Sequence, residues 1–364
     1  MRVLFAPDSF KGTIGSIDAA TALRDGWASI RGLDDLMLFP QADGGEGTLE
    51  VLATCSPGSR WSVVLEVAGP DGLPVDARWL TLADGRAVVE LAESSGIASM
   101  RALDPLGAST RGAGEVIAAT KANRLSIALG GSASTDGGLG VLRALGLRVL
   151  DISGADVLEG GAGLIAAARV EMSGLREVST DVELLTDTTA VLCGPGGAAH
   201  VFSSQKGAGT ADIEVLDAAL ARWAELLADA GLFADPKLSG VGAAGGTAFG
   251  LCAWGAHIAP GAERMSVLTG LTAAIPSADL VVTGEGKFDR TSVTGKLVGH
   301  VLSECVGASV PVIVVAGTVD AGVLDSDAEV ASVSLTELAG GQDAAMANPT
   351  HWLFEAGRTC ARRH

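Results

Sequence analysis

The residues of this chain best suited to chemistry are carboxylates and lysines set in glycine-rich loops. Residues 130–138 read Gly-Gly-Ser-Ala-Ser-Thr-Asp-Gly-Gly. The apolar run 126–129 enters this loop and the run 139–145 leaves it, so a strand, a turn and a helix start are expected. Backbone N–H groups unobstructed by Cβ atoms, with the positive end of a helix dipole behind them, suit an anion such as phosphate. Gly131 lies in this turn, Ser132, Ser134 and Thr135 add hydroxyls, and Asp136 adds a carboxylate. That mixture favours a phosphorylated ligand carrying a metal ion, because an unpaired carboxylate beside a bare phosphate repels it. The alternative is a tight turn in which Asp136 caps the helix.

Other loops repeat the combination. Pro7-Asp8-Ser9-Phe10-Lys11-Gly12-Thr13 follows an apolar run from Arg2, and Gln41-Ala42-Asp43-Gly44-Gly45-Glu46-Gly47-Thr48 follows another from Leu36. Each puts polar side chains where a parallel sheet has its C-terminal edge, the usual rim of a ligand crevice. Lys11 reads either as a solvated lysine or as a cation for an anionic ligand. Asp43 and Glu46 suit a metal ion or substrate hydroxyls, or cap a helix beginning near Thr48. Asp187 ends the run from Val182, and Lys206 follows the glycine turn 193–199. The strand signal 278–283 delivers Gly284-Glu285-Gly286-Lys287-Phe288-Asp289-Arg290 as one ionisable loop. Together these loops ask for a crevice in which lysines and N–H groups neutralise phosphate, carboxylates hold Mg2+, and one carboxylate takes a proton from an attacking hydroxyl. That chemistry is phosphoryl transfer.

The elements that must position these loops alternate strand and helix. Ser16 precedes Ile17, Ala20, Leu23, Trp27 and Ile30 at helical spacing and reads as an N-cap. Residues 294–296, Thr-Gly-Lys, open a helix through Val298, Val301, Leu302 and Cys305. Ile213, Leu216, Leu220, Trp223 and Leu227 form a core stripe. From about Trp61 the texture turns to short strand-like runs with turns between them, an antiparallel meander. Residues 151–180 are weakly patterned. Gly240 to Gly245 match G-x-G-x-x-G without a preceding strand, and no P-loop string occurs.

At 364 residues the chain exceeds one hydrophobic core. The expected class is α/β, with two α/β domains and a cleft between them: a Rossmann- or flavodoxin-like domain with a mainly parallel sheet at 1–60 plus 285–364, and an inserted domain with a mixed sheet at 61–284. The formal charge of −18 argues against nonspecific binding to nucleic acid or to an anionic membrane. Five scattered cysteines without a Cys-x-x-Cys, and five histidines without metal-set spacing, fit a reducing cytoplasm. No run is long and apolar enough to span a bilayer, and none at the N-terminus reads as a signal segment.

These residues resemble the class I glycerate kinase family, the bacterial glycerate 2-kinase type. The resemblance runs through residues 5–13, 41–48, 104–110, 127–146, 192–199, 205–208, 240–246, 260–263, 279–289 and 294–296, in a fixed order. It implies ATP-dependent phosphorylation of D-glycerate, most often on the 2-hydroxyl, with Mg2+ as cofactor. It also implies substrate and nucleotide contacts at Asp8, Ser9, Asp43, Gly44, Gly45, Gly131, Ser132, Ser134, Thr135, Asp136, Gln205, Lys206, Gly245, Gly246, Glu285 and Lys287, with Asp136 and Glu285 as metal ligands. ATP phosphates are expected on N–H groups of 130–138 or 240–246. The chain departs from the family at Thr188 to Leu192, at Ser203-Ser204 and at Lys287-Phe288, leaving the charged positions in place. Rival readings are a kinase for another small hydroxy acid or sugar acid, and a noncatalytic anion-binding regulatory module. Assembly into a homo-oligomer stays open.

Catalysis is expected from Lys11, Asp187 and Asp289. A secondary hydroxyl is a poor nucleophile at neutral pH and needs a carboxylate within hydrogen-bond reach. Asp187 is the first choice of base, because no cation neighbours it in sequence. Asp289, which shares its run with Glu285 and Lys287, is the second.

Overall fold

The computed structural model describes residues 1–178, 181–292, 297–320 and 330–364. In chain order the strands are β1 (Arg2–Pro7), β2 (Asp35–Leu38), β3 (Arg60–Ala68), β4 (Pro74–Thr81), β5 (Ala87–Glu90), β6 (Arg124–Ala128), β7 (Arg148–Leu150), β8 (Arg169–Glu171), β9 (Asp181–Thr186), β10 (His257–Pro260), β11 (Leu280–Phe288), β12 (Val312–Val319) and β13 (Val330–Ser334). Contacts divide the chain into two units. The first holds Met1–Asp43, Glu50–Pro57 and Gly261–His364, and the second holds Gly44–Leu49 and Gly58–Pro260. The sequence texture sets the return to the first unit at 285, whereas the structure sets it at Gly261. The reason is that β11 is the middle strand of the first sheet and cannot be cut at 284.

The first unit's sheet runs β2-β1-β11-β12-β13, parallel throughout. This is the flavodoxin-like order, whose topological switch point lies between β1 and β11. The apolar runs of β1, β11 and β12 suit strands covered on both faces. Val3, Phe5, Leu280, Val282, Ile313 and Val315 pack with Trp27 on one side. Leu4, Val281, Val312 and Val314 pack with Val298 and Val301 on the other. On the first face the helix Ser16–Ala28 packs against the C-terminal helix Pro349–Arg363. Ser16 is the first helical residue rather than the cap; Gly15 holds the cap position, with no side-chain bond. The Thr-Gly-Lys run at 294–296 lies outside the described residues, and the helix after it is Leu297–Ala308.

β11 also corrects a sequence expectation at the site. Instead of a loop from Gly284, the strand continues to Phe288, pairing Glu285 with Ala316 and Lys287 with Thr318 on β12. Its pairing with β1 stops at Gly284, so beyond that point β11 overruns its neighbour.

The second unit's main sheet runs β10-β9-β6-β5-β4-β3. β10, β9, β6 and β5 are parallel, and the expected meander β3-β4-β5 adds the antiparallel end. Within this apolar sheet, Arg86 is buried and donates to Glu183 Oε1 at 2.7 Å and to Ser126 Oγ at 3.1 Å. The weakly patterned stretch after residue 150 contains the helix Gly160–Ala166 and β8, which pairs antiparallel with β7 just before the stretch. The helix Thr210–Asp229 buries Leu216, Leu220, Trp223 and Leu227, the stripe expected from its spacing.

Candidate active site

In the first unit, the charged groups gather around the switch point. Asp8 follows β1 directly; its N–H donates to the Gly284 carbonyl at 2.8 Å, and its Oδ1 accepts from the Ser9 N–H at 2.6 Å. Burial, reinforced by Asp43 and opposed by the Ser9 N–H and Lys11, pushes the Asp8 carboxyl up to about 7. Lys11 Nζ stands 3.6 Å from Asp43 Oδ2, with 78% of its side chain exposed. Asp43 above all, and Asp8 and Glu285 after it, raise the lysine's affinity for its proton against a desolvation that lowers it. Glu285, half-buried on the overrunning part of β11, belongs to the same field. A lysine among carboxylates at the switch point of a parallel sheet is suited to a small anionic ligand whose charge the lysine meets and whose metal ion the carboxylates meet.

Lys287 and Asp289 lie further along the same edge. Lys287 Nζ is 3.3 Å from both Asp289 Oδ2 and Asp320 Oδ2. Asp289 Oδ1 accepts from the Thr291 N–H at 2.8 Å and the Thr291 hydroxyl at 2.6 Å. Those Thr291 bonds, followed by Lys287, hold its carboxyl well below the usual carboxylate range. A carboxylate so stabilised in its charged form is a weak base. Asp289 is at the same time the ion-pair partner of Lys287.

The second unit has its own polar edge, at the C-terminal ends of β5, β6 and β9. Gly130 and Gly131 leave β6, Asp187 leaves β9 half-buried, and Glu90 ends β5. Glu90, missed in the sequence, is buried, and its two oxygens accept from the Gly47 and Leu49 N–H groups at 3.1 and 3.3 Å. It thereby fastens the Gly44–Leu49 segment to the edge. The Gly130 N–H donates to the Gly44 carbonyl, and a Cβ on Gly130 would strike the Gly45 backbone, so the two glycine runs meet backbone to backbone.

Beyond Gly131 the glycine-rich loop turns inward. Ser134, Thr135 and Asp136 have no exposed surface. Asp136 Oδ2 accepts from the Thr110 N–H at 3.0 Å, the Thr110 hydroxyl at 2.7 Å and the Gly140 N–H at 3.2 Å, and Oδ1 accepts from the Gly138 N–H at 3.1 Å. Thr110 and Gly138 are the caps of the helices Arg111–Thr120 and Leu139–Ala144. The anion that two converging helix N-termini attract is thus the chain's own carboxylate. Burial pushes the Asp136 carboxyl up while these donors pull it down. With its oxygens so occupied, Asp136 caps the N-termini of both helices.

Many of the loop's N–H groups are likewise committed. Gly130 donates to Gly44, Ala133 to Ser95, Gly137 to Gly245, Ser134 to Ser132 Oγ and Gly138 to Asp136. Gly245 and Gly246 are buried, both with positive φ. A Cβ on Gly245 would collide with the Ser134 carbonyl oxygen, so the 240–246 turn packs closely against the loop at this point. Lys206 is also not the loop cation expected from sequence. On the 3-10 turn Ser204–Lys206, Gln205 is exposed while Lys206 is 3% exposed. The Lys206 Nζ donates to the Ser134 carbonyl oxygen, and burial, opposed by Asp136, pulls its amine down to about 8. Among the residues missed in the sequence, Thr110 lay in a quoted motif and Glu90 was visible as an acid ending a strand-like run; nothing local announced the Thr135 to Ser203 hydroxyl contact at 3.0 Å.

The fold and these edges define a two-unit α/β protein built to handle a small charged ligand. Comparison with known proteins gives the particular family. The model of the Glycerate kinase family matches residues 3–364. A glycerate kinase of Bacillus subtilis strain 168 is 38% identical over 88% of this chain and 85% of its own length. The glycerate 2-kinase of Escherichia coli K12 is 36% identical, covering 89% and 87%. A crystal structure assigned as glycerate kinase 2 from Salmonella typhimurium LT2 superposes with a TM-score of 0.84 at 36% identity, covering 100% of this chain and 98% of that one. The chain belongs to the glycerate kinase family and is a phosphotransferase.

Proposed function

We propose that the protein phosphorylates D-glycerate on its 2-hydroxyl with ATP as donor. The observation that carries this reading is the lysine and carboxylate cluster of Asp8, Lys11, Asp43 and Glu285 at the first sheet's switch point, in a chain of this family. The E. coli relative's name supports the 2-position. Lys11 is the exposed cation of that cluster and meets substrate or phosphate charge. Among the described residues no group of three metal-ligating side chains forms a cage. That fits Mg2+, which is bound through one or two carboxylates together with substrate phosphates, and Glu285 is the protein group suited to it. The cation would offset triphosphate charge; the protein's part is to orient the acceptor hydroxyl and take its proton.

For the base, Asp136 is occupied by four donors and Asp289 is held as a strong acid. Asp187, half-buried at the end of β9, is our assignment. Asp8 is the second reading, because a carboxyl near 7 matches the operating pH of a general base. We place the protein in the cytoplasm, acting on small molecules rather than nucleic acid or membrane; its five cysteines are free, and among the described residues no helix is long and apolar enough to cross a membrane.

The deciding experiment is ATP consumption against a panel of small hydroxy acids, with product position assigned by NMR and EDTA as a control. D-Glycerate should be preferred, 2-phosphoglycerate should form, and EDTA should abolish turnover. Preference for another acid, or a 3-phosphorylated product, overturns the assignment. Asp187→Asn should lose roughly 100-fold in kcat; if it keeps most of its kcat while Asp8→Asn loses it, Asp8 is the base.

A further inference from the structure

Lys206 buries an ammonium where an unbranched aliphatic chain would fill the same space without desolvation. Its Nζ donates to the Ser134 carbonyl oxygen, which Gly245 backs from another side. The next links lead outward. The Ser134 N–H donates to Ser132 Oγ at 3.2 Å, and the Ser134 hydroxyl lies 3.2 Å from the same oxygen. Ser132 is bridged to Gly96, and Gly131 beside it is the exposed residue of the turn. Trp223 Nε1 meanwhile donates to the Gly137 carbonyl at 3.0 Å, which anchors the far end of the loop. A chain of contacts therefore runs from a buried amine, through Ser134, to Ser132 and the exposed Gly131 beside it.

We propose that Lys206 is a positioning residue: through the Ser134 carbonyl it fixes the turn that presents Gly131 and Ser132 at the second sheet's edge, without touching the ligand itself. This rests on the reading of that edge as part of the kinase site. Asp136 supplies the opposite charge that lets the amine remain an ammonium in the interior. A charged donor holds a carbonyl roughly twice as strongly as a neutral one, and a methionine of similar length offers no donor at all.

The test uses the full chain with Lys206→Met, of matching length but without a donor, and Lys206→Arg, which restores the charge. Amide hydrogen exchange over residues 130–138 is measured alongside kcat and KM for D-glycerate and ATP. In Lys206→Met, exchange in this segment should rise about 10-fold or more while β6 and β9 stay protected. Its kcat/KM should fall about 10-fold or more through misplacement of the turn, with Lys206→Arg recovering most of the loss. Exchange and kcat/KM within twofold of the parent overturn the proposal, even if the melting temperature drops. Should Lys206→Met not fold, Ser132→Ala decides: it must reproduce the kinetic loss in a folded protein, and a kinetically silent Ser132→Ala overturns the relay. A parent enzyme inactive on D-glycerate would sink the functional reading, while the exchange comparison would still decide whether Lys206 holds the turn.

Discussion

At the edge of the first sheet, Lys11 has 78% of its side chain exposed and its partner Asp43 has 40%. Beneath the loop of the second sheet, Lys206 is 3% exposed and Asp136 is fully buried. In both places a lysine lies near an aspartate in a glycine-rich stretch at the end of a strand. Their physics differs in what satisfies the carboxylate. Asp43 meets a lysine across 3.6 Å in a partly solvated setting, where rearranging around a ligand costs little. Asp136 closes the N-termini of two helices, where rearrangement would orphan several donors at once. The first pair can rearrange in a solvated setting, and the second is locked into the framework.

That contrast can be broken most sharply at Asp136. Asp136→Ala should destabilise the protein by about 3–5 kcal/mol, read as a shift of the urea unfolding midpoint, because it leaves buried donors unpaired. A loss below about 1 kcal/mol would erase the distinction between the two pairs. Lys11→Ala should behave in the opposite sense, with an unchanged midpoint and a fall in kcat/KM of roughly 100-fold, as expected for a lost contact to transferring phosphate. Near-normal kinetics would make Lys11 a solvated surface lysine.

The last effect concerns Asp8 and pH. Its folded carboxyl is raised from 3.8 to about 7, so the folded state binds the proton more tightly than the unfolded chain does. Stability from this group is fully present below about pH 4 and is lost as pH rises through 7. Asp8→Asn, which cannot ionise, should therefore match the parent near pH 4 and exceed it at pH 8 by up to about 4 kcal/mol. Unfolding midpoints at the two pH values give the comparison, and a variant less stable than the parent at pH 8 would show that the Asp8 charge is stabilised by its neighbours.

The strands and the loops after them were legible in the sequence because buried parallel strands are continuous apolar runs broken by glycine and polar residues. The order β2-β1-β11-β12-β13 was not, since β1 and β11 lie far apart in the chain and nothing in either run names its partner. The end of β11 was hidden because Gly284, Glu285 and Lys287 read as a loop, although the ladder with β12 carries them as strand. Asp136 and Lys206 read in the sequence as loop groups, and the structure shows both side chains buried. Glycine-rich context signals a tight turn whether its polar groups face a ligand or an interior, and only the convergence of Thr110, Gly138 and Gly140 on one carboxylate decides.

The first sheet is assembled from both ends of the chain, and this sets a timetable for its birth. On the ribosome β1 can find β2 early, but its other neighbour, β11, begins only at Leu280. At 5–20 residues per second the N-terminal strand waits roughly 15–60 s for that partner. The Trp27 face waits longer still, for the helix Pro349–Arg363 that seals it. Throughout that interval the nascent chain carries Val3, Phe5, Leu23 and Trp27 without their final cover, and the helix Pro349–Arg363 is the one that ends the exposure.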